Sequence, residues 1–228
     1  MKAQGQLTLN IRLRDDATFD NFYAENNRQL IAHLCALIKN KQFTYIWGPP
    51  GAGRSHLLQA CCHAANQQGL SSIYLPLALL SPQILEDLEK ISLVCIDDIH
   101  KIVGQPAWEE AIFHIFNKLP EQNSTLLISA NNPVHALPFL LADLKSRLAG
   151  GVIFQVQSLT DQEKLAALQM RAKIRGLDIP HEVAEFLLNR CTRDTTNLFS
   201  ILDKLDQASL AAQHKLTIPF VKSVLFSN

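Results

Sequence analysis

No sign of charge prevails in this sequence: lysine plus arginine and aspartate plus glutamate both number 21, so the net charge is near zero. A protein held along DNA by phosphate contacts usually presents a basic excess, so the balance argues against a dedicated DNA-binding protein and leaves room only for a local patch. No apolar run comes near the roughly 20 residues that cross a bilayer, and the polar N-terminus has no signal-peptide pattern. No C-x-x-C spacing links the five cysteines, Cys35, Cys61, Cys62, Cys95 and Cys191. An odd set, lying mostly in apolar runs, reads as reduced core thiols in a cytoplasmic protein. Internal repeats, low-complexity tracts and heptads are also missing, which excludes repeat arrays and coiled coils.

What is present is one strong punctuation mark. Phe43-Thr44-Tyr45-Ile46-Trp47 reads as a buried strand, Gly48-Pro49-Pro50-Gly51-Ala52-Gly53 as a loop, and Arg54-Ser55-His56-Leu57-Leu58 as the start of a helix. This is the strand–loop–helix of a phosphate-binding loop, G-x-x-x-x-G-K-[ST], with Arg54 in the lysine position and Ser55 as the hydroxyl for Mg²⁺. Glycines let backbone N–H groups close around an anion, and the helix that follows turns its positive end to it. A guanidinium is broader than an ammonium and planar. Phosphate binding should survive the exchange, whereas in-line hydrolysis depends on finer placement of charge.

Strand-like runs at 72–75, 93–96, 126–129 and 152–156 alternate with helices expected at 26–40, 55–67, 81–88, 108–119 and 139–148. That alternation, with strands apolar on both faces, predicts an α/β fold: a parallel five-stranded sheet covered by helices on both sides. From Thr160 onward the strand signal stops. Thr160-Asp161-Gln162-Glu163 is a capping box, Gly176 ends its helix, and further helices start at Pro180, Asp194/Thr195 and Ile218. The expected division is an arm at 1–18, an α/β domain at 19–158 and an all-α lid at 159–228.

Leu93-Val94-Cys95-Ile96-Asp97-Asp98 is an apolar strand ending in two carboxylates. Strand ends on this side of a parallel sheet border the ligand crevice. Asp97 is placed to hold Mg²⁺ and Asp98 to orient a water; the plain alternative is a cap for the next helix. Phe19, Phe22 and Tyr23 either wall a base pocket or staple a helix to the sheet. Gln6-Leu7-Thr8-Leu9 reads equally as an edge strand, a frayed terminus or a peptide that docks its leucines in a partner groove.

With these residues in view, the chain resembles the AAA+ family of P-loop ATPases. Within that family it resembles the DnaA-related group, most closely the Hda family of regulatory inactivators of the initiator DnaA. The likeness rests on Thr18 to Phe22, Gly51 to Leu58, Asp97-Asp98, Leu144-Lys145-Ser146-Arg147-Leu148 and Lys215 to Lys222. It implies that Phe19, Phe22, Tyr23, Pro50, Gly51, Ala52, Gly53, Arg54, Ser55 and His56 bind a nucleotide, ADP or another nucleoside diphosphate, with Mg²⁺ on Ser55 and Asp97. It implies Asp98 and Asn131 as groups facing the terminal phosphate, Asn131 being otherwise a turn residue before Pro133. Arg147 falls at the arginine-finger position, offered in trans to a neighbouring subunit. The lid position that usually carries a sensing arginine holds Thr196, with Arg193 upstream. Gln6, Leu7 and Leu9 resemble a sliding-clamp binding peptide.

The implied activity is regulation of replication initiation. The chain would promote hydrolysis of DnaA-bound ATP together with the DNA-loaded β clamp of DNA polymerase III, with weak or absent ATPase activity of its own. Self-association, nucleoid association through the clamp and only indirect DNA contact follow from the same resemblance. An alternative is an AAA+ ATPase serving as a helicase-loader or clamp-loader-like subunit.

Overall fold

The computed structural model describes residues 13–86, 88–121, 124–190 and 194–226. Five strands, β1 (Thr44–Trp47), β2 (Ser72–Pro76), β3 (Leu93–Asp97), β4 (Thr125–Ala130) and β5 (Val152–Gln155), form one sheet in the order β2-β3-β4-β1-β5. Each recorded pairing is parallel. Helices α1 (Arg28–Asn40), α2 (Arg54–Gln67), α3 (Pro106–Glu121) and α4 (Ala142–Ala149) accompany it.

Strand periodicity sorts neighbouring residues to opposite faces. Tyr45, Val94, Ile96 and Ile128 join Ile112 of α3 and Leu144 and Leu148 of α4 in one buried cluster. Ile46, Cys95 and Leu127 join Leu34 of α1 and Leu57, Cys61 and Cys62 of α2 in the other. The central strands β3 and β4 are buried along their whole length, which is why they read as unbroken apolar runs.

In the C-terminal region every regular element among the described residues is a helix: α5 (Asp161–Ile174), α6 (His181–Arg190), α7 (Thr195–Ala212) and α8 (Ile218–Phe226) enclose a separate core that includes Leu168, Val183, Leu187, Leu202 and Val221. The expected capping box is formed. Glu163 N–H donates to Thr160 Oγ1 at 3.3 Å, and Thr160 N–H to Glu163 Oε2 at 2.7 Å. Asp194 caps α7 by accepting from Asn197 N–H at 3.1 Å.

The helix expected at 81–88 is instead two short 3₁₀ turns, Pro82–Leu85 and Leu88–Lys90, separated by extended backbone at Glu86. Leu85 and Leu88 both reach the buried cluster from these separate turns. The helix expected from Phe139 starts only at Ala142, because Leu140 and Leu141 donate their N–H groups to the buried Glu109 carboxylate at 2.9 and 2.8 Å. Cys35 is exposed rather than a core thiol, while Cys61, Cys62 and Cys95 are buried; Cys191 lies outside the described residues.

Candidate nucleotide-binding crevice

The loop after β1 closes on itself around positions only glycine fills. Gly53 has φ +97°, and a Cβ there would meet Phe22 Cε2 at 2.7 Å; Gly51 has φ +79°, and its Cβ would meet Asp194 Oδ1 of the lid at 2.8 Å. The loop is therefore sandwiched between the entry segment and the lid. The cavity between them has a volume of about 220 Å³, and Gly51 to His56, Phe22, Tyr23 and Thr196 all line it. Pro49 lines it rather than the exposed Pro50, and Phe19 packs against the α1–α2 cluster instead. Gln6, Leu7, Leu9 and Arg193 lie outside the described residues.

Arg54 is buried. Its Nη1 donates to the carbonyls of Gly48 and, at 2.8 Å, Pro49, and its Nη2 donates to Asp98 Oδ1 at 2.8 Å. Asp98 sits in left-handed backbone, φ 59° and ψ 48°, with its N–H on Ser129 Oγ at 2.9 Å and its Oδ2 3.0 Å from Lys101 Nζ. Burial works against its charge, but hydrogen bonds from Arg54 and Lys101 outweigh it and hold the carboxyl below the usual range. His100 lies beyond, Nδ1 3.8 Å from Asp98 Oδ1, and that nitrogen accepts the Asn131 N–H at 3.2 Å. Burial pushes the His100 pKa down. Asn131 Oδ1 is buried without a partner, an acceptor left for a ligand or water.

Asp97, at the end of β3, is buried, and both its oxygens accept from hydroxyls: Oδ1 from Ser129 and Oδ2 from Tyr74 at 2.6 Å. Burial, and then the Asp97 charge, raise the Tyr74 pKa. Among the described residues no group of three or more His, Cys, Asp and Glu side chains could hold a metal alone. The Ser55 hydroxyl and the Asp97 carboxylate are oxygen donors of the kind that suit Mg²⁺, a hard cation commonly held by one or two carboxylates plus substrate phosphates.

Sequence reasoning missed the lid's charged contribution. Arg171 of α5 is buried in the cavity wall, its guanidinium carbon 3.7 Å from the centre of the Phe199 ring. Its Nε donates to Asn21 O and its Nη2 to His56 Nδ1, each at 3.0 Å. With Nδ1 accepting, His56 carries its proton on Nε2 and donates to Thr18 O at 2.7 Å. Burial, then the Arg171 charge, depresses the His56 pKa to about 4, and burial lowers that of Arg171 to about 10. Asp16 lies 3.8 Å from Arg171 and 3.5 Å from Arg175, so the clasp joins the entry segment, the phosphate-loop helix and the lid. The signal was available: Arg171 shares a helical stripe with Ala167, Leu168 and Ala172, all buried.

Arg147 stands apart from this crevice. It is exposed near the C-terminal end of α4, its side chain has no hydrogen bond or ion pair to the described residues, and it does not line the cavity. Its neighbour Lys145 is tied to the carbonyls of His135 and Leu137, both at 3.2 Å.

A phosphate-binding loop, a carboxylate-ended strand beside it and a helical lid over the crevice define the AAA+ class of P-loop proteins. Two family models match the chain: the Hda lid domain over 161–225 and the bacterial DnaA ATPase domain over 81–155. The fold is similar to that of domain III of Thermotoga maritima DnaA (TM-score 0.78, 20% identity, 94% of this chain and 98% of that one). AMPPCP-bound DnaA from Aquifex aeolicus is also similar (TM-score 0.71, 22% identity, 87% and 67%). So is the Thermotoga maritima Holliday junction branch migration motor RuvB (TM-score 0.67, 18% identity, 92% and 71%). The chain has the AAA+ fold, with a segment that matches the DnaA ATPase domain and a lid that matches that of Hda, which is consistent with a DnaA-related, Hda-like AAA+ protein.

Proposed function

We propose that this chain is a regulator of replication initiation that binds a nucleoside diphosphate in the crevice and presents Arg147 to ATP held by DnaA, promoting hydrolysis there. The observation that carries the reading is the contrast in the two guanidiniums. Arg54 is committed to its own loop and to Asp98, whereas Arg147 is exposed and unpartnered among the described residues. A finger stabilises charge on a transferring phosphoryl group only if it can leave its own subunit's surface and enter another's site. Nucleotide binding is supported by the glycine cradle and by the DnaA relatives solved with AMPPCP. Asn131, through its side-chain amide N–H groups, and Asp97 remain candidates for the terminal phosphate and for Mg²⁺ respectively; a bound Mg²⁺ would neutralise phosphate charge.

In this reading Gln6, Leu7 and Leu9 dock on the DNA-loaded sliding clamp, which brings the chain to the nucleoid of a bacterial cytoplasm, and DNA contact is indirect. Self-association would place Arg147 against a second copy until DnaA displaces it. Two rates test the proposal: ATP turnover by this chain alone, and hydrolysis of ATP pre-bound to DnaA when the chain and clamp-loaded DNA are added. The proposal expects negligible turnover alone and a strong increase in the mixture. Robust turnover alone with no effect on DnaA would favour a loader-like ATPase.

A further inference from the structure

The cation of the phosphate loop is held by groups of the protein itself. In G-x-x-x-x-G-K-[ST] the residue at this place reaches the β- and γ-phosphates. Here the Arg54 fork spans the carbonyls of Gly48 and Pro49 with one nitrogen and Asp98 Oδ1 with the other, and its side chain is only 9% exposed. A lysine, with one compact ammonium, does not bridge these groups with a planar two-pronged fork. Asp98 is fixed for the pairing by left-handed backbone and by its N–H bond to Ser129 Oγ. Its second oxygen takes Lys101. Both cations nearest the carboxylate are thus paired with it, and of the Arg54 nitrogens only the buried Nε is left without a partner.

We infer that Asp98 is a selectivity residue, a built-in anion that takes the share of Arg54 a terminal phosphate would require, so that the crevice accepts nucleoside diphosphates in preference to triphosphates. The inference deepens the proposed function and rests on its nucleotide-binding part. A diphosphate can be held by the loop N–H groups and the start of α2 while the Arg54–Asp98 pair stays closed. A third phosphate brings further negative charge toward a partly buried carboxylate, where like charges repel far more than in water. Either Asp98 surrenders Arg54 and keeps only Lys101, or the third phosphate enters without its cation. Both outcomes penalise the triphosphate and leave the diphosphate untouched.

The test is calorimetric titration of the full chain with ADP and with ATP, in EDTA and again with Mg²⁺, for the wild type, Asp98→Asn and Asp98→Gly. Asparagine and glycine both tolerate left-handed backbone, and thermal unfolding without nucleotide checks that each variant is folded. The expected result is a wild-type preference for ADP of at least about tenfold, shrinking by about tenfold in both variants. A wild-type ADP preference that survives both substitutions overturns the role of Asp98 while leaving diphosphate binding intact. Equal or tighter ATP binding by the wild type overturns the selectivity itself. Failure to bind either nucleotide overturns this inference together with the nucleotide-binding part of the proposed function, and hydrolysis on DnaA would then have to be measured separately.

Discussion

The two ends of this α/β domain treat their arginines in opposite ways. At the phosphate loop, Arg54 is buried and its terminal nitrogens are spent on Gly48, Pro49 and Asp98. On α4, Arg147 is exposed and Lys145, two residues away, does the local bonding. The loop end pairs its guanidinium's terminal nitrogens internally and leaves only the buried Nε without a partner. The α4 end presents an uncommitted charge on a helix whose start is anchored from below by Glu109. A charge left free on an anchored element costs little and is positioned for a partner; a charge folded inward serves the fold and whatever anion enters the crevice.

The largest effect that would sharpen this contrast is at the loop. Arg54→Ala removes the loop's cation and leaves Asp98 with Lys101 alone, so ADP affinity should fall by about 100-fold, close to 3 kcal/mol; titration calorimetry reads it, and an unchanged affinity would break the loop half of the comparison. Glu109→Ala acts on the other end. Its carboxylate accepts N–H groups from Gly104, Leu140 and Leu141 at 2.8 to 2.9 Å, and it is 1% exposed. Leaving those donors unpaired should cost about 3 kcal/mol of stability in denaturant unfolding and should weaken stimulation of DnaA while ADP binding persists.

The clasp at the lid gives a pH signature. The His56 pKa is lowered to about 4 in the folded chain against about 6.5 unfolded, so its neutral form contributes fully above pH 6.5 and that stability is lost as pH falls toward 4. The loss should approach about 3 kcal/mol across that window, and His56→Gln should flatten the slope of unfolding free energy against pH over the same range. Smallest of all, Lys101→Ala removes a half-exposed partner of Asp98 and should change stability by less than about 1 kcal/mol.

Most of the sheet was legible because β3 and β4 are buried on both faces, which leaves nothing but apolar residues between Leu93 and the carboxylate pair and between Leu126 and Ser129. The glycine loop was legible because its backbone angles permit little else. Two kinds of feature escaped. Local pattern could not show that residues 82–90 form two 3₁₀ turns rather than one helix, or that Glu109, about thirty residues away in sequence, would hold Leu140 and Leu141 out of the helix. Nor could motif reading show which way a side chain turns. It placed Arg54 at the phosphates without seeing Asp98 take it, and it overlooked Arg171, whose partners Asn21 and His56 come from the other domain.

The most direct test of the central claim is single-turnover hydrolysis of ATP pre-bound to DnaA on clamp-loaded DNA, comparing wild type with Arg147→Ala, each sample scored for its own bound ADP. The account predicts equal ADP content and a rate lowered at least about 1,000-fold by the substitution, within the range of arginine-finger effects. Equal rates from the two proteins would contradict it.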